Sequence, residues 1–329
     1  MTVPITLACW DYDRTAALAD GSVVPDGVDL TYLNLPVEET FFRMARHREF
    51  DAAEMSLSSY VVTLCRPDPP FVAVPVFPSR AFRHNGIYVN TASGITEPAD
   101  LRGRVVGVPE YQMTAAVWIR GVLAEEHGVP VTSVHYRTGG LHAPGRVEKL
   151  PLADAAGLDI APIGPADTLA DLLVSGGIDA LYCPRTPRPF AAGDPRVRRL
   201  WADPRPVEED YFRRTGVFPI MHTVVLRRDV YERNRWLAGS LFTAFERARA
   251  ATAERMREQA ASAYLLPWLY AEVAHTEAVM GTDFWPYGAA ANDTTLRAFC
   301  RYAHEQGLAD RVLEPAELFA PETLESYVI

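Results

Sequence analysis

The chain is poor in cysteine and has none of the spacings that cysteine chemistry uses. Four cysteines, Cys9, Cys65, Cys183 and Cys300, stand far apart among 329 residues. With no CxxC pair and no HExxH among the histidines, a structural zinc site is not expected. Each cysteine reads as a small buried hydrophobe. Basic residues are not in excess: the formal net charge is −10, which argues against a nucleic-acid surface. No apolar run approaches the ~20 residues needed to span a bilayer. The opening "MTVPITLACWDYDRT" has neither the basic nor the apolar region of a signal peptide. A cytoplasmic protein with no membrane and no nucleic-acid partner is expected. Internal repeats and low-complexity segments are absent too.

What is present is an ordinary globular composition, 48% hydrophobic and 22% charged, in a chain long enough for one large domain or two ordinary ones. The first two-thirds alternates short apolar runs with helical patterns. Strands are expected at 5–10, 29–35, 50–55, 71–77, 86–90, 104–109, 134–139, 178–183, 197–201 and 221–227. Helices are expected at 38–48, at 113–128 with a stop at Gly128, and at 167–177 behind an Asp cap. From Val230 onward only helices are expected, over 230–265, 268–280 and 292–306, with Pro267 and Pro286 as punctuation. The alternation is that of an α/β protein with largely parallel sheets. Two strands, near 88 and 223, mark where the chain would leave one lobe and return to it.

Ligands of open α/β sheets bind at the carboxyl ends of strands. Four such ends carry polar residues: "DYDRT" (11–15), "EMSLSSY" (54–60), "FPSRAFRH" (77–84) and "PEYQMTAA" (109–116). Ser56, Ser58, Ser59 and Thr114 stand where backbone N–H groups and hydroxyls would face an anion. For any one of them, capping a helix is the plainer role; their recurrence at several strand ends favours a site.

The blocks "ACWDYDRT", "FDAAEMSLSSY", "FVAVPVFPSRAFRH", "VGVPEYQMTAAVWIRG" and "FWPYGAAANDTTLRAF" together resemble the 4,5-dihydroxyphthalate decarboxylase family. The similarity extends through "GRVEKLPL" (145–152) to the C-terminal "HEQGL…ELFAPET" (304–323). The resemblance implies a type II periplasmic-binding-protein-like fold. Its two α/β lobes would be joined by two crossing strands, with a ligand cleft between them and a helical C-terminal extension. It places lobe 1 at 1–87 plus 224–329 and lobe 2 at 88–223. The stretch 183–197 does not align, so the substrate could differ from 4,5-dihydroxyphthalate.

Direct loss of CO2 from an aromatic ring would leave an aryl carbanion. A hydroxyl para to the leaving carboxylate opens another route: a base takes the phenol proton, an acid protonates the ipso carbon, and the dienone expels CO2. Such a site needs an acid, a base and donors for the remaining carboxylate. Arg80 and Arg83 could bind that carboxylate, and His84 could carry the proton. Arg83 could equally pair with a local acid, and His84 could be a satisfied hinge residue. Asp13 could accept a phenol proton and Arg14 bind an anion, or the two could form an ion pair closing a turn. Glu54, at the end of a buried strand, could be acid, base or partner to an arginine. Glu110 could accept a hydroxyl proton and Tyr111 stack on an aromatic ring. His222 lies on the return strand, where it could line the cleft or sit in the core. The "FWPYG" stretch (284–288) reads as packing, with Trp285 a lesser candidate for a pocket wall. No local spacing supports a metal, and a cofactor-free, metal-free site is expected. The partner would be a small aromatic carboxylate; the C-terminal helices could also cover a second subunit in a homo-oligomer. The competing functions are a solute receptor for an aromatic or dicarboxylic ligand, and another small-molecule lyase on the same scaffold.

Overall fold

In a computed structural model of the chain, residues 2–152 and 157–324 are described. They fall into two compact units. The first comprises Met1–Arg80, Tyr211–Arg297 and Leu313–Ile329; the second comprises Ala81–Asp210 and Ala298–Val312. The strands are β1 (Val3–Cys9), β2 (Val28–Asn34), β3 (Ala52–Ser56), β4 (Phe71–Val74), β5 (Ile87–Asn90), β6 (Val105–Val108), β7 (His135–Thr138), β8 (Asp159–Pro162), β9 (Ala180–Tyr182), β10 (Val197–Arg199) and β11 (His222–Arg227). Among the described residues no helix is long and apolar enough to cross a membrane.

The first unit holds a five-stranded sheet in the order β2-β1-β3-β11-β4. β1 runs parallel to β2 and β3. β11, arriving from late in the chain, runs antiparallel to β3 and β4. Every residue of β3 and β4 is buried. β4 is the edge strand, bridged on its outer side by Phe319, whereas β3 is central, and central strands covered on both faces are built from near-continuous apolar runs. "AAEMS" departs from this rule at Glu54 and at Ser56, its last residue, and the buried charge at Glu54 needs a chemical explanation. Helix Leu57–Leu64 leaves β3 without a loop, so Ser56 ends the strand and Ser58 and Ser59 occupy the first turn.

The second unit holds a six-stranded sheet, β10-β5-β9-β6-β7-β8. β6, β7, β8 and β9 are mutually parallel where they pair, and β5 is antiparallel to both its neighbours. Helix Thr114–His127 is closed by Gly128 in the left-handed region at φ 61°, which only glycine adopts without strain. Trp118 of this helix packs against Phe299 and Tyr302, and this contact groups 298–312 with the second unit.

Two α/β sheets with flanking helices are the architecture that the alternating pattern implied. Several boundaries differ. β8 was not expected: "DIAP" is a four-residue edge strand, half-exposed and ended by a proline, so it carries no apolar run. Helix Arg205–Thr215 was missed because only Tyr211 on it is buried. The cap of helix Leu169–Ser175 is Thr168, whose hydroxyl accepts from Asp171 N, and not Asp167. The helix expected over 230–265 is two, Arg228–Arg233 and Trp236–Arg257, because the backbone at Asn234 (φ −146°, ψ 67°) leaves the helical region.

Candidate active site

Glu54 is fully buried, yet each of its carboxylate oxygens is occupied. Oε1 accepts from the Tyr12 hydroxyl at 2.6 Å and lies 2.6 Å from His222 Nδ1. Oε2 accepts from Trp10 N at 3.1 Å and from the Cys9 thiol at 3.6 Å. Sheet register explains the assembly. His222 on β11 stands opposite Ser56, and Val224 opposite Glu54. Glu54 and His222 are therefore diagonal neighbours on one face, within reach of long side chains. The N–H of Trp10 and the Tyr12 hydroxyl come from just beyond the end of the adjacent β1.

Burial pushes the Glu54 carboxyl up, but the His222 ring and the hydrogen bonds from His222, Tyr12 and Trp10 outweigh it and hold Glu54 below the usual carboxylate range. Burial and the Glu54 charge push the Tyr12 phenol well up, so it stays a donor. The Cys9 thiol is raised for the same two reasons. Carboxylate on one side fixes the histidine: Nδ1 carries the hydrogen that Oε1 accepts, and Nε2 is left for proton exchange. The ring is held edge-on against Phe41 at 4.8 Å between centroids, and 17% of the side chain remains exposed. A carboxylate-oriented imidazole with one open nitrogen has the parts of a general acid–base pair.

The other candidate residues of the first unit each have partners of their own. β1 ends at Cys9, so Asp11 and Asp13 do not share a strand face; Asp13 begins a single 3-10 turn. Arg14 pairs with Asp13 at 2.8 Å, donates to Pro78 O at 2.5 Å, and is sandwiched between the Tyr12 and Trp285 rings at 4.3 and 4.4 Å. This is the ion pair closing a turn, with an aromatic clamp added. Arg80 is buried without a carboxylate: Nη1 and Nη2 donate to Pro286 O and Phe218 O, and its plane covers the Phe218 ring at 4.6 Å. Burial lowers Arg80 to about 9. The Ser56 and Ser58 hydroxyls lie 3.1 Å apart, and Ser58 and Ser59 are fully buried.

The second unit carries the rest. His84 is buried at the start of a 3-10 turn, edge-on to Trp201 at 5.3 Å and 4.0 Å from Glu208. Arg83 precedes it; burial raises Glu208 to about 7 and Cys183 to about 11, and the Arg83 charge only partly opposes this. Glu110 is fully buried between two cations: Arg146 donates to Oε1 through Nε at 3.0 Å and Nη2 at 2.5 Å, and Lys149 Nζ reaches Oε2 at 2.5 Å. Both oxygens are thus spoken for. Tyr111 lies beneath the Arg120 guanidinium at 3.9 Å, edge-on to Tyr136, with its hydroxyl donating to Gln306 O. This places its ring in the core. Thr114 is buried in the first turn of its helix. Sequence reasoning overlooked Tyr12 as a partner of Glu54, the clamp of Arg146 and Lys149, and Glu208. One signal was available: Lys149 is the only lysine in the chain. Among the described residues no group of three or more His, Cys, Asp or Glu side chains is placed to hold a metal ion.

No family model matches the chain. It is 41% identical over 325 residues to the 4,5-dihydroxyphthalate decarboxylase of Comamonas testosteroni, covering 99% of this chain and 98% of that one. It is 43% identical over 209 residues to the 4,5-dihydroxyphthalate decarboxylase of Pseudomonas putida, covering 64% of this chain and 81% of that one. Among solved structures, the periplasmic aliphatic sulphonate binding protein of Escherichia coli superposes with a TM-score of 0.55 at 13% identity, covering 98% of this chain and 99% of that one; this likeness is one of fold. The protein therefore belongs to the 4,5-dihydroxyphthalate decarboxylase family and carries it on a periplasmic-binding-protein-like scaffold.

Proposed function

We propose that this protein removes CO2 from a hydroxylated aromatic dicarboxylate of the 4,5-dihydroxyphthalate kind, giving 3,4-dihydroxybenzoate, and that His222 and Glu54 manage the phenolic proton. The carrying observation is the 2.6 Å contact between Glu54 Oε1 and His222 Nδ1 at a fully buried carboxylate.

The chemistry follows from the pair. His222 Nε2 takes the proton of the hydroxyl para to the leaving carboxylate, and the imidazolium formed is stabilised by Glu54. Electrons move into the ring as the ipso carbon is protonated. The C–COO bond then breaks, its electron pair restores aromaticity, and His222 returns its proton to the phenolate. One proton is consumed and one CO2 leaves. Arg14 and Arg80 are the cations of the first unit for the carboxylates, with the hydroxyls of Ser56, Ser58 and Ser59 as neutral donors. Asp13, paired with Arg14, fixes that arginine's direction. Glu110, ion-paired on both oxygens, fits a structural role better than proton transfer. The four cysteines are all free thiols, which suits a cytoplasmic, reducing setting.

The test is turnover of 4,5-dihydroxyphthalate by purified protein treated with chelator, following CO2 and 3,4-dihydroxybenzoate together. Equal amounts of both support the reading. Saturable binding with neither product would overturn it and favour a solute receptor.

A further inference from the structure

The first unit carries a cavity of about 570 Å³, part of it open to solvent, a size within the range of small-molecule sites. It shares Asp13 and Arg14 with the residues assigned above, but Glu54, His222 and the serines are not in its walls. Those walls are the last turns of helix Trp236–Arg257, the turn at Asp13 and the segment 282–285, all within the one unit. Met256, Phe284 and Trp285 give it an apolar lining, and three guanidiniums reach it. Two of them are fully committed. Arg249 holds Asp283 through Nη1 at 2.7 Å and Glu246 through Nε and Nη2 at 3.0 and 2.9 Å. Arg257 holds Glu277 through Nε and Nη2 at 2.8 and 2.6 Å, and Ala253 O through Nη1 at 3.0 Å. Arg14 differs. Nε donates to Pro78 O and Nη1 to Asp13, while Nη2 meets no acceptor among the described residues. The guanidinium is also fixed in place, between the Tyr12 ring and a Trp285 ring whose Nε1–H is tied to Phe77 O at 2.9 Å.

We infer that this cavity is a second ligand site, for an aromatic monocarboxylate, with Arg14 Nη2 receiving the carboxylate and the apolar lining covering the ring. The chemical class follows from the walls. Met256, Phe284 and Trp285 suit an aromatic body. One open nitrogen on a held guanidinium suits one carboxylate. Asp13 and Asp283 stand in the same walls, and a second carboxylate would meet their charge. The cavity thus disfavours a dicarboxylate substrate and admits its product, because decarboxylation leaves one carboxylate fewer on the ring. A kinetic consequence follows, and it alone rests on the decarboxylase reading. Arg14 is the cation proposed above for a substrate carboxylate, so an occupied cavity withholds it and raises KM without changing kcat.

The experiment uses benzoate, which has the carboxylate but no hydroxyl for His222. Its binding to wild type, Arg14→Gln and Ala253→Leu is measured by calorimetry, with phthalate as the dicarboxylate control. Ala253 lies in the cavity wall on a helix, and leucine there fills space while keeping helix propensity. Saturable benzoate binding is expected in wild type, at least tenfold weaker in both variants. Phthalate affinity should be the same in wild type and Ala253→Leu. Benzoate should raise KM for 4,5-dihydroxyphthalate in wild type but not in Ala253→Leu, whose own kcat and KM stay within twofold of wild type. No saturable benzoate binding, equal affinity in wild type and Ala253→Leu, or equal inhibition of both would overturn the inference. A tenfold loss of phthalate affinity in Ala253→Leu would overturn the monocarboxylate class. The binding arm needs no turnover: benzoate affinity lost in Ala253→Leu, in a protein that releases no CO2, would remove the decarboxylase reading and leave the site standing. If Ala253→Leu does not fold, Met256→Trp, which fills the same cavity, must show the same loss for the site to survive.

Discussion

Replacing Glu54 by glutamine is the sharpest perturbation of the site, because it keeps shape and removes only charge and one acceptor. In the native protein Oε1 serves Tyr12 and His222 while Oε2 serves Trp10 N and Cys9. An amide nitrogen in place of Oε2 would face the Trp10 N–H, donor against donor, a buried mismatch of about 1–3 kcal/mol. Turned the other way, it would force His222 to accept at Nδ1, moving the ring proton to Nε2 and removing the base. In both orientations the imidazolium formed during the reaction loses its charged partner, a charge-assisted bond of about 1.5–3 kcal/mol. A combined loss of about 2–4 kcal/mol in the transition state corresponds to roughly a 30- to 1000-fold fall in kcat. The assay is CO2 release across pH 5–9, with KM recorded as the control and urea unfolding to measure stability. Linkage gives an independent mark. Glu54 titrates below its usual range in the folded protein, so its contribution is present above the unfolded pKa of ~4.3 and is lost as pH falls through the lower folded value. The variant should therefore lose less stability than wild type on acidification below about pH 4. A kcat within threefold of wild type, with an unaltered pH profile, would refute the assignment of His222 and Glu54 as a pair.

The remaining predictions concern the second unit. Glu110→Gln leaves Arg146 and the nearly buried Lys149 without their shared anion. It should cost about 3–5 kcal/mol in urea unfolding, with Lys149→Met added in the same chain recovering part of the loss; a loss below about 1 kcal/mol would show that the triad is not structural. Glu208 moves the other way with pH. Its folded value of about 7 lies above the ordinary 4.5, so wild-type stability should fall as pH rises from about 4.5 to 7 and then level off. Glu208→Gln should flatten that limb by at most about 3 kcal/mol, as read from unfolding free energies at pH 5 and 8; identical slopes in both proteins would contradict it.

How much of this was legible without coordinates depends on the distance over which each residue finds its partner. The sheets were readable because short, uninterrupted apolar runs announce strands covered on both faces, as "FVAV" and "VVGV" do. The edge strand "DIAP" announced nothing, since half-exposed residues need not be apolar. Glu54 and His222 were each identifiable as polar residues out of place in buried strands. Their pairing was not, because 168 positions separate them and only the antiparallel register of β11 against β3 sets them diagonal. Asp13 and Arg14 show the converse: adjacent in sequence, they find each other locally, and the short-range alternative of an ion pair is the one observed. The two cations on Glu110 were invisible for the first reason, lying 36 and 39 positions away in a segment with no regular structure of its own.

The glutamates bring out a point that residue type alone misses. Glu54 and Glu208 are both withdrawn from water, and desolvation acts to raise the carboxyl pKa at each. What differs is the company. Glu54 has an imidazole, a phenol and a backbone N–H aimed at its two oxygens, enough to reverse the sign of the burial effect. At Glu208 the Asn85 N–H and the charges of Arg83 and Arg199 oppose burial, and burial prevails. A reaction that takes a proton from oxygen and gives one to carbon needs one group poised to accept and another poised to give. Environments that drive chemically identical side chains apart are the physical means of supplying both. On that ground we assign the accepting role to the pair with the ionised carboxylate, His222 and Glu54. A giving role would require Glu54 to hold a proton against the four donors that surround it.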